Sequence, residues 1–298
     1  MFKENKLYIS ISAHGGASGG GANTFAWNFS RYLKSKGIAT TNSLFRASHA
    51  IIIANKVNQY SLKIAKAQGC FILHRLDEDF GTESYLTQKH EQIIQINKLA
   101  NITVFQSSFV KENVQPHIKS KNWSIIINGA DSEIFPYHQK NGPYIGHITN
   151  SVHWKKRLDI LEKIIISYPH ERFLLVGNHK KYLNDLSRHK NVTMLESVSK
   201  TELSGYHEQM KCLFFPSERD PCPNTVVEAI LSGVPVCYNS NGGTKEIVKD
   251  CGLPLEKFDD LLGKCNSFHE KCAKRHDLIF DTVAKKYLNL LKFQKNSN

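Results

Sequence analysis

A chain of 298 residues is long enough for two modest α/β domains with separate cores, and 41% hydrophobic with 22% charged residues is an ordinary globular composition. No run approaches the roughly 18 apolar residues of a membrane-spanning helix, and residues 1–6 lead directly into an apolar strand, so neither a span nor a cleavable signal peptide is expected. The net charge of +12, divided as +6 over residues 1–138 and +6 over 139–298, admits nucleic acid, an anionic membrane surface or an anionic small ligand; without a dense basic block, nucleic acid is not expected as a partner.

Apolar strand-like runs alternate with amphipathic stretches along the chain, the pattern of parallel sheets with crossover helices. The first half reads as strands at 7–12, 49–54, 70–75, 102–106 and 124–127, with helices at 22–36, 57–68, 83–100 and 108–114. The polar, turn-rich stretch 135–143 reads as an interdomain linker. A second series follows, with strands at 144–149, 172–176, 192–195, 212–216 and 234–238 and helices at 155–168, 180–189, 200–210, 225–231 and 244–248. Residues 269–293 read as one long basic amphipathic helix. The expected domains are 1–138 and 139–267, with 268–298 as a C-terminal helix. Seven irregularly spaced cysteines, with no Cys-x-x-Cys or His-Glu-x-x-His pattern, suit reduced thiols in a cytoplasmic chain and no structural zinc.

In open parallel sheets ligands settle beyond the carboxyl ends of strands, where helix N-termini converge. The most informative such place is the segment 212–230, where a strand ends at Pro216, a polar loop holds Asp220 and a helix begins near Asn224. Backbone N–H groups at Asn224 and Thr225 suit a phosphate. Glu228, about one turn into the helix, suits two ribose hydroxyls, and Asp220 suits sugar hydroxyls. A capping acid on an ordinary helix is the bland alternative.

Asp220 and Glu228, with Val227-Glu228-Ala229, Gly233-Val234-Pro235-Val236 and Gly242-Gly243-Thr244-Lys245-Glu246, resemble the Glu-x7-Glu motif and following glycine turn of family 4 glycosyltransferases. Asp220 stands in place of the first Glu. Residues 144–161 resemble that family's Gly-Arg…Lys-Gly loop, whose Arg and Lys grip the donor diphosphate. Here His147 occupies the Arg position, and the Lys role passes to Lys156, with Lys155 and Arg157 as rivals. Asn178 follows a stretch similar to the family's Val-Gly strand end. Val198 stands where the family's backbone reads the base, although Ser199 and Glu202 also make a capping box.

The glycine-rich loop 12–23, with Gly15, Gly16, Gly20 and Gly21, lacks the Gly-Lys-Ser/Thr of a P-loop and resembles the family's N-terminal loop beside donor phosphates and acceptor. His74, Arg75 and Asp77 resemble a His-Arg-Val-Asp-Gly segment. They are candidates for acceptor or donor-sugar contact, with an ion pair or a satisfied core histidine as the alternative. The stretches 104–109 and 126–135 resemble further family segments.

The resemblance implies an α/β fold of the GT-B type, two Rossmann-like doubly wound domains facing across a cleft. It implies retaining, hexosyltransferase-like transfer from a UDP- or GDP-sugar to a glycan, lipid-linked or protein acceptor, as in polysaccharide biosynthesis, with no metal or other cofactor. Lys156, Asp220 and Glu228 carry the main roles. A nucleotide-sugar epimerase or phosphorylase of the same architecture and a non-catalytic scaffold are the competing readings. The C-terminal helix either packs back on the first domain or touches the inner face of the membrane.

Overall fold

The structure, a computed structural model, describes residues 5–11, 20–81, 86–139, 142–182 and 185–292, with the backbone alone at 181. The chain forms two compact units, Met1–Asn128 with Phe280–Asn298, and Gly129–Ile279.

The first unit contains β1 (Leu7–Ile9), α1 (Gly21–Ser35), β2 (His49–Ile53), α2 (Gln59–Ala67), β3 (Phe71–Leu76), α3 (Gln88–Asn97), β4 (Ile102–Phe105), α4 (Ser108–Ile118) and β5 (Trp123–Ile125). Its strands pair in parallel in the order β1-β2-β3-β4-β5, and Leu7 also bridges to Thr40. Side chains alternate across this sheet as a two-residue period requires. Ile51, Ile53 and Leu73 join a core with α1, while Ala50, Ile52 and Ile72 join another with α2. Both faces are therefore covered, which explains why the strands read as continuous apolar runs.

The second unit contains β6 (Tyr144–Thr149), a 3-10 turn at Trp154–Lys156, α5 (Leu158–Ser167), β7 (Arg172–Gly177), β8 (Val192–Leu195), α6 (Lys200–Glu208), β9 (Met210–Phe215), α7 (Asn224–Leu231), β10 (Val236–Tyr238), α8 (Thr244–Val248), β11 (Gly252–Pro254), α9 (Phe258–Leu262) and α10 (Cys265–Cys272). Its parallel sheet runs β11-β10-β9-β6-β7-β8. The chain steps outward from β6 to β8, then returns to the other side of β6 with β9. The strand order thus reverses between β6 and β9, and a crevice forms beyond the carboxyl ends of strands at such a point.

The chain then returns to the first unit as α11 (Phe280–Leu291). Phe280, Val283, Ala284, Tyr287 and Leu291 recur at helical spacing and are buried in the core that contains Phe25 and Phe29. The Tyr287 ring lies 5.0 Å from that of Phe25 and 5.8 Å from that of Phe29. Each such side chain contributes about 1.5–3 kcal/mol by burial.

Among the differences from the expected elements, three change the path of the chain. The tail is two helices separated by a 3-10 turn at His276–Leu278. Arg275 donates to the carbonyls of Ile247 (2.6 Å) and Val248 (3.2 Å), and Ala130 N donates to Leu278 O (3.0 Å), so the intervening backbone is held in non-helical pairings. The expected helix 180–189 is instead 3-10 turns at His179–Lys181 and Leu186–Arg188, the second tied by an Asp185 carboxylate that accepts from Ser187 N at 2.9 Å. The expected helix 155–168 starts only at Leu158, because Arg157 is left-handed at φ 49°.

The units divide at 128/129 and 279/280, whereas the sequence reading placed boundaries at 138/139 and 267/268. The turn-rich stretch 135–143 is already anchored in the second unit. His138 N donates to Ser232 O (3.2 Å), Gly142 N to Glu208 O (2.9 Å), and the Phe135 ring lies 5.6 Å from that of His207.

Candidate functional site

The reversal of strand order brings the loops after β6 and β9 together. Lys156, at the end of the 3-10 turn, donates from Nζ to Asp220 Oδ2 at 3.1 Å, and both side chains are partly exposed. Beside them Glu218 N donates to Lys155 O (2.8 Å), and Arg157 Nη1 donates to Glu218 Oε2 (3.1 Å). Arg157 also forks onto both oxygens of Asp159, at 3.0 and 2.9 Å, and these bonds hold its pKa above the usual arginine range. Arg157 is therefore a clip between two loops, whereas Lys156 is the cation directed to Asp220. The Lys155 ammonium lies 5.7 Å from the centre of the Trp154 ring.

The loop after β10 supports Asp220 from the other side. Arg219 N donates to Asn241 O (2.5 Å), Asn239 Nδ2 to Pro216 O (3.1 Å) and Gly243 N to Asp220 O (2.9 Å). Gly242 has φ 151°, and a Cβ there would lie 3.0 Å from Asp220 N, so a side chain would press on this loop. The glycine turn singled out in the sequence is thus the seat of the Asp220 loop.

α7 begins after Pro223, which supplies no side-chain cap, and both Val226 N and Val227 N turn back to Pro223 O. Asn224 and Thr225 therefore open the helix at the positive end of its dipole. Glu228, in the second turn, is 1% exposed. Its Oε1 accepts from Lys200 Nζ at 2.5 Å, while Oε2 is buried without a hydrogen-bond partner among the described residues. Burial raises the Glu228 pKa and Lys200 pulls it down. A buried carboxylate oxygen without a donor is costly, and two ribose-like hydroxyls would supply what it lacks.

Lys200 is a site residue that the sequence reading did not single out. It opens α6 directly after the capping Ser199, which accepts from Glu202 N at 3.2 Å, and its ammonium lies 5.8 Å from the Phe135 ring centre. The only local signal is its place two residues after Val198, which is half-buried in the turn between β8 and α6.

The remaining candidates have partners of their own. His147 is 1% exposed and shares a 2.7 Å hydrogen bond from Nδ1 with His179 Nε2. Burial, reinforced by His179 and Lys156, holds its pKa well below 6.5, and burial lowers that of His179 to about 4. His147 is consequently neutral at physiological pH and cannot supply the charge of an arginine in its place. Asn178 ties two strand ends together, N to Thr149 O (2.8 Å) and Nδ2 to Asn150 O (3.0 Å).

In the first unit His74 is fully buried. Its Nε2 donates to Ala54 O (2.8 Å) and its Nδ1 accepts from Asn97 Nδ2 (3.0 Å), with burial lowering the pKa to about 4. His74 thus has both ring nitrogens engaged, as in the core-histidine alternative to acceptor contact. Arg75, also fully buried, donates to Asp77 Oδ2 (3.0 Å) and Asn128 Oδ1 (2.9 Å), and its Cζ lies 4.2 Å from the Phe25 ring centre. Asp77 retains partial exposure. Gly20 caps α1 at φ 88° and Gly21 is its first residue, both exposed, whereas Gly15 and Gly16 lie outside the described residues. Among the described residues no three His, Cys, Asp or Glu side chains are grouped to hold a metal ion.

Residues 142–261, which include the Lys156, Asp220, Glu228 and Lys200 positions, match the family described as Glycosyl transferases group 1. A search of curated protein sequences found no match. Among solved structures the chain is similar to a sucrose-phosphate synthase from Thermosynechococcus elongatus, with TM-score 0.74 and 13% identity over 96% of this chain and 98% of that one. It is similar to Anabaena HepE in complex with UDP, with TM-score 0.74 and 13% identity over 97% and 99%. It is also similar to WaaG, a glycosyltransferase involved in lipopolysaccharide biosynthesis, with TM-score 0.63 and 12% identity over 96% and 98%. The fold is GT-B, as the sequence motifs imply.

Proposed function

We propose that this chain is a glycosyltransferase that takes a nucleoside-diphosphate sugar, with UDP as the nucleotide, and transfers the sugar with retention to a hydroxyl acceptor. The observation that carries the reading is Glu228: a carboxylate in the second turn of α7, buried, with one oxygen on Lys200 and the other lacking a donor. The family match over residues 142–261 supports the same reading, and HepE, similar in fold, is described in complex with UDP and with UDP-glucose.

In this mechanism Glu228 accepts from the two ribose hydroxyls, and the turn at Val198 holds the base. Asn224 and Thr225, at the positive end of the α7 dipole, and Lys156 face the diphosphate, whose charge grows as the glycosidic bond breaks. Lys156 is now paired with Asp220, so the arriving diphosphate competes for that ammonium and releases Asp220 to accept from the sugar hydroxyls. The protein neutralises the leaving group with its own cation and helix dipole, and no metal is needed. The acceptor is a hydroxyl of a glycan, lipid-linked or protein substrate, as in polysaccharide assembly, and the family 4 assignment rests on the Asp220–Glu228 spacing with its glycine turn.

Calorimetry with UDP and GDP on the wild-type chain and on Glu228→Gln tests the reading. UDP binding that is lost in the variant is expected; equal binding by both, or none by the wild type, defeats it. Transfer from labelled UDP-sugars that survives EDTA, with the product anomer read by NMR, tests the metal-free retaining chemistry.

A further inference from the structure

Between Glu4 and Asp77 the sequence contains no carboxylate side chain, yet it contains nine lysines and arginines, from Lys6 to Arg75. This acid-free run includes the one described helix of the first unit that is apolar on two sides. α2 turns Leu62 and Ala65 into the core, while Tyr60 and Ile64, one turn apart on the other side, are 75% and 50% exposed. The 3-10 turn Leu44–Arg46 packs beside α2, its Leu44 in the same core cluster, and Phe45 is 47% exposed. Arg46, Lys56 and Lys63, in or next to these two elements, are exposed, and the Lys63 ammonium lies 5.7 Å from the Tyr60 ring centre.

We propose that this face of the first unit, α2 with the Leu44–Arg46 turn, docks on an anionic phospholipid bilayer. Exposed Phe, Tyr and Ile side chains and cations, in a run of sequence that contains no carboxylate, match an interface that takes apolar tips between acyl chains and cations at phosphate headgroups. A second copy of the same face would set like charge against like. A nucleic acid would use the cations and leave Ile64 and Phe45 in water. The C-terminal helix, the other basic amphipathic element, lacks this combination, because α11 buries its apolar side against α1. This proposal does not depend on the enzymatic reading.

Co-sedimentation of the full chain with phosphatidylcholine vesicles, with and without phosphatidylglycerol, tests it. The wild type is expected to bind the anionic vesicles, and less so as salt rises. The triple variant Phe45→Ser, Tyr60→Ser, Ile64→Ser and the double variant Lys56→Gln, Lys63→Gln should each lose about tenfold or more in partitioning. All five side chains are exposed, so unchanged melting temperatures report an intact fold. No binding to anionic vesicles, or full binding by both variants, overturns the proposal. So does a charge-only dependence shared with duplex DNA, in which the triple variant binds vesicles as the wild type does.

Discussion

Replacing Lys200 by Met removes the one described partner of a carboxylate that is 1% exposed. If Glu228 stayed ionised, an unpaired buried charge would cost about 3–5 kcal/mol. Protonation offers a cheaper route, at about 1.4 kcal/mol for each pH unit above the pKa. Burial already raises the Glu228 pKa above 4.5 and Lys200 opposes this, so the substitution raises it further. A protonated Glu228 has one hydroxyl that donates and cannot accept from both ribose hydroxyls. UDP affinity should therefore fall by about tenfold, the size of a lost hydrogen bond to a charged group, below the new pKa and recover as pH rises through it. The wild type, in which Lys200 pulls the Glu228 pKa down, should change less over the same range. Stability should move in the opposite direction: a carboxyl whose folded pKa is raised stabilises fully below 4.5, and that contribution is lost as pH rises toward the folded pKa. Calorimetry of UDP and 2′-deoxy-UDP from pH 6.5 to 9, with melting curves at each pH, measures both. A loss of UDP affinity that does not recover with pH, or affinity equal to wild type, would refute the reasoning.

Lys156→Ala should lower sugar transfer about 100- to 1000-fold, with melting unchanged because its pair with Asp220 is partly exposed; steady-state kinetics with a labelled donor measures it. The buried histidines make the fold acid-sensitive. His74 and His179 have folded pKa values of about 4 against 6.5, so the unfolded chain binds protons that the fold excludes, and stability falls as pH drops from 6.5 toward 4. Each contributes about 3 kcal/mol across that window, and His74→Gln should flatten the pH dependence of urea unfolding. Tyr287→Ala should cost about 3–5 kcal/mol in urea unfolding, since it empties the aromatic cluster between α1 and α11; less than 1 kcal/mol would contradict that packing.

The sequence by itself determined the two sets of alternating elements, because the apolar period and the turn residues are local. β6, β8 and α8 have the bounds expected from it. It also singled out the stretch of the proposed donor site, since Asp220, Glu228 and the Gly242-Gly243 turn fall close together along the chain. Tertiary structure alone decided which charges meet. Lys200, at the start of α6, reaches Glu228 in α7 across 28 positions, and His147 in β6 meets His179, just beyond the paired strand β7, across 32. The same strand order sets Lys156 against Asp220, where local reading could only offer three adjacent basic residues. It also ended the C-terminal helix early, through bonds from Arg275 to carbonyls more than 20 positions upstream. A helix can be read from its own residues; a buried charge is defined by its partner, and that partner lies elsewhere in the chain.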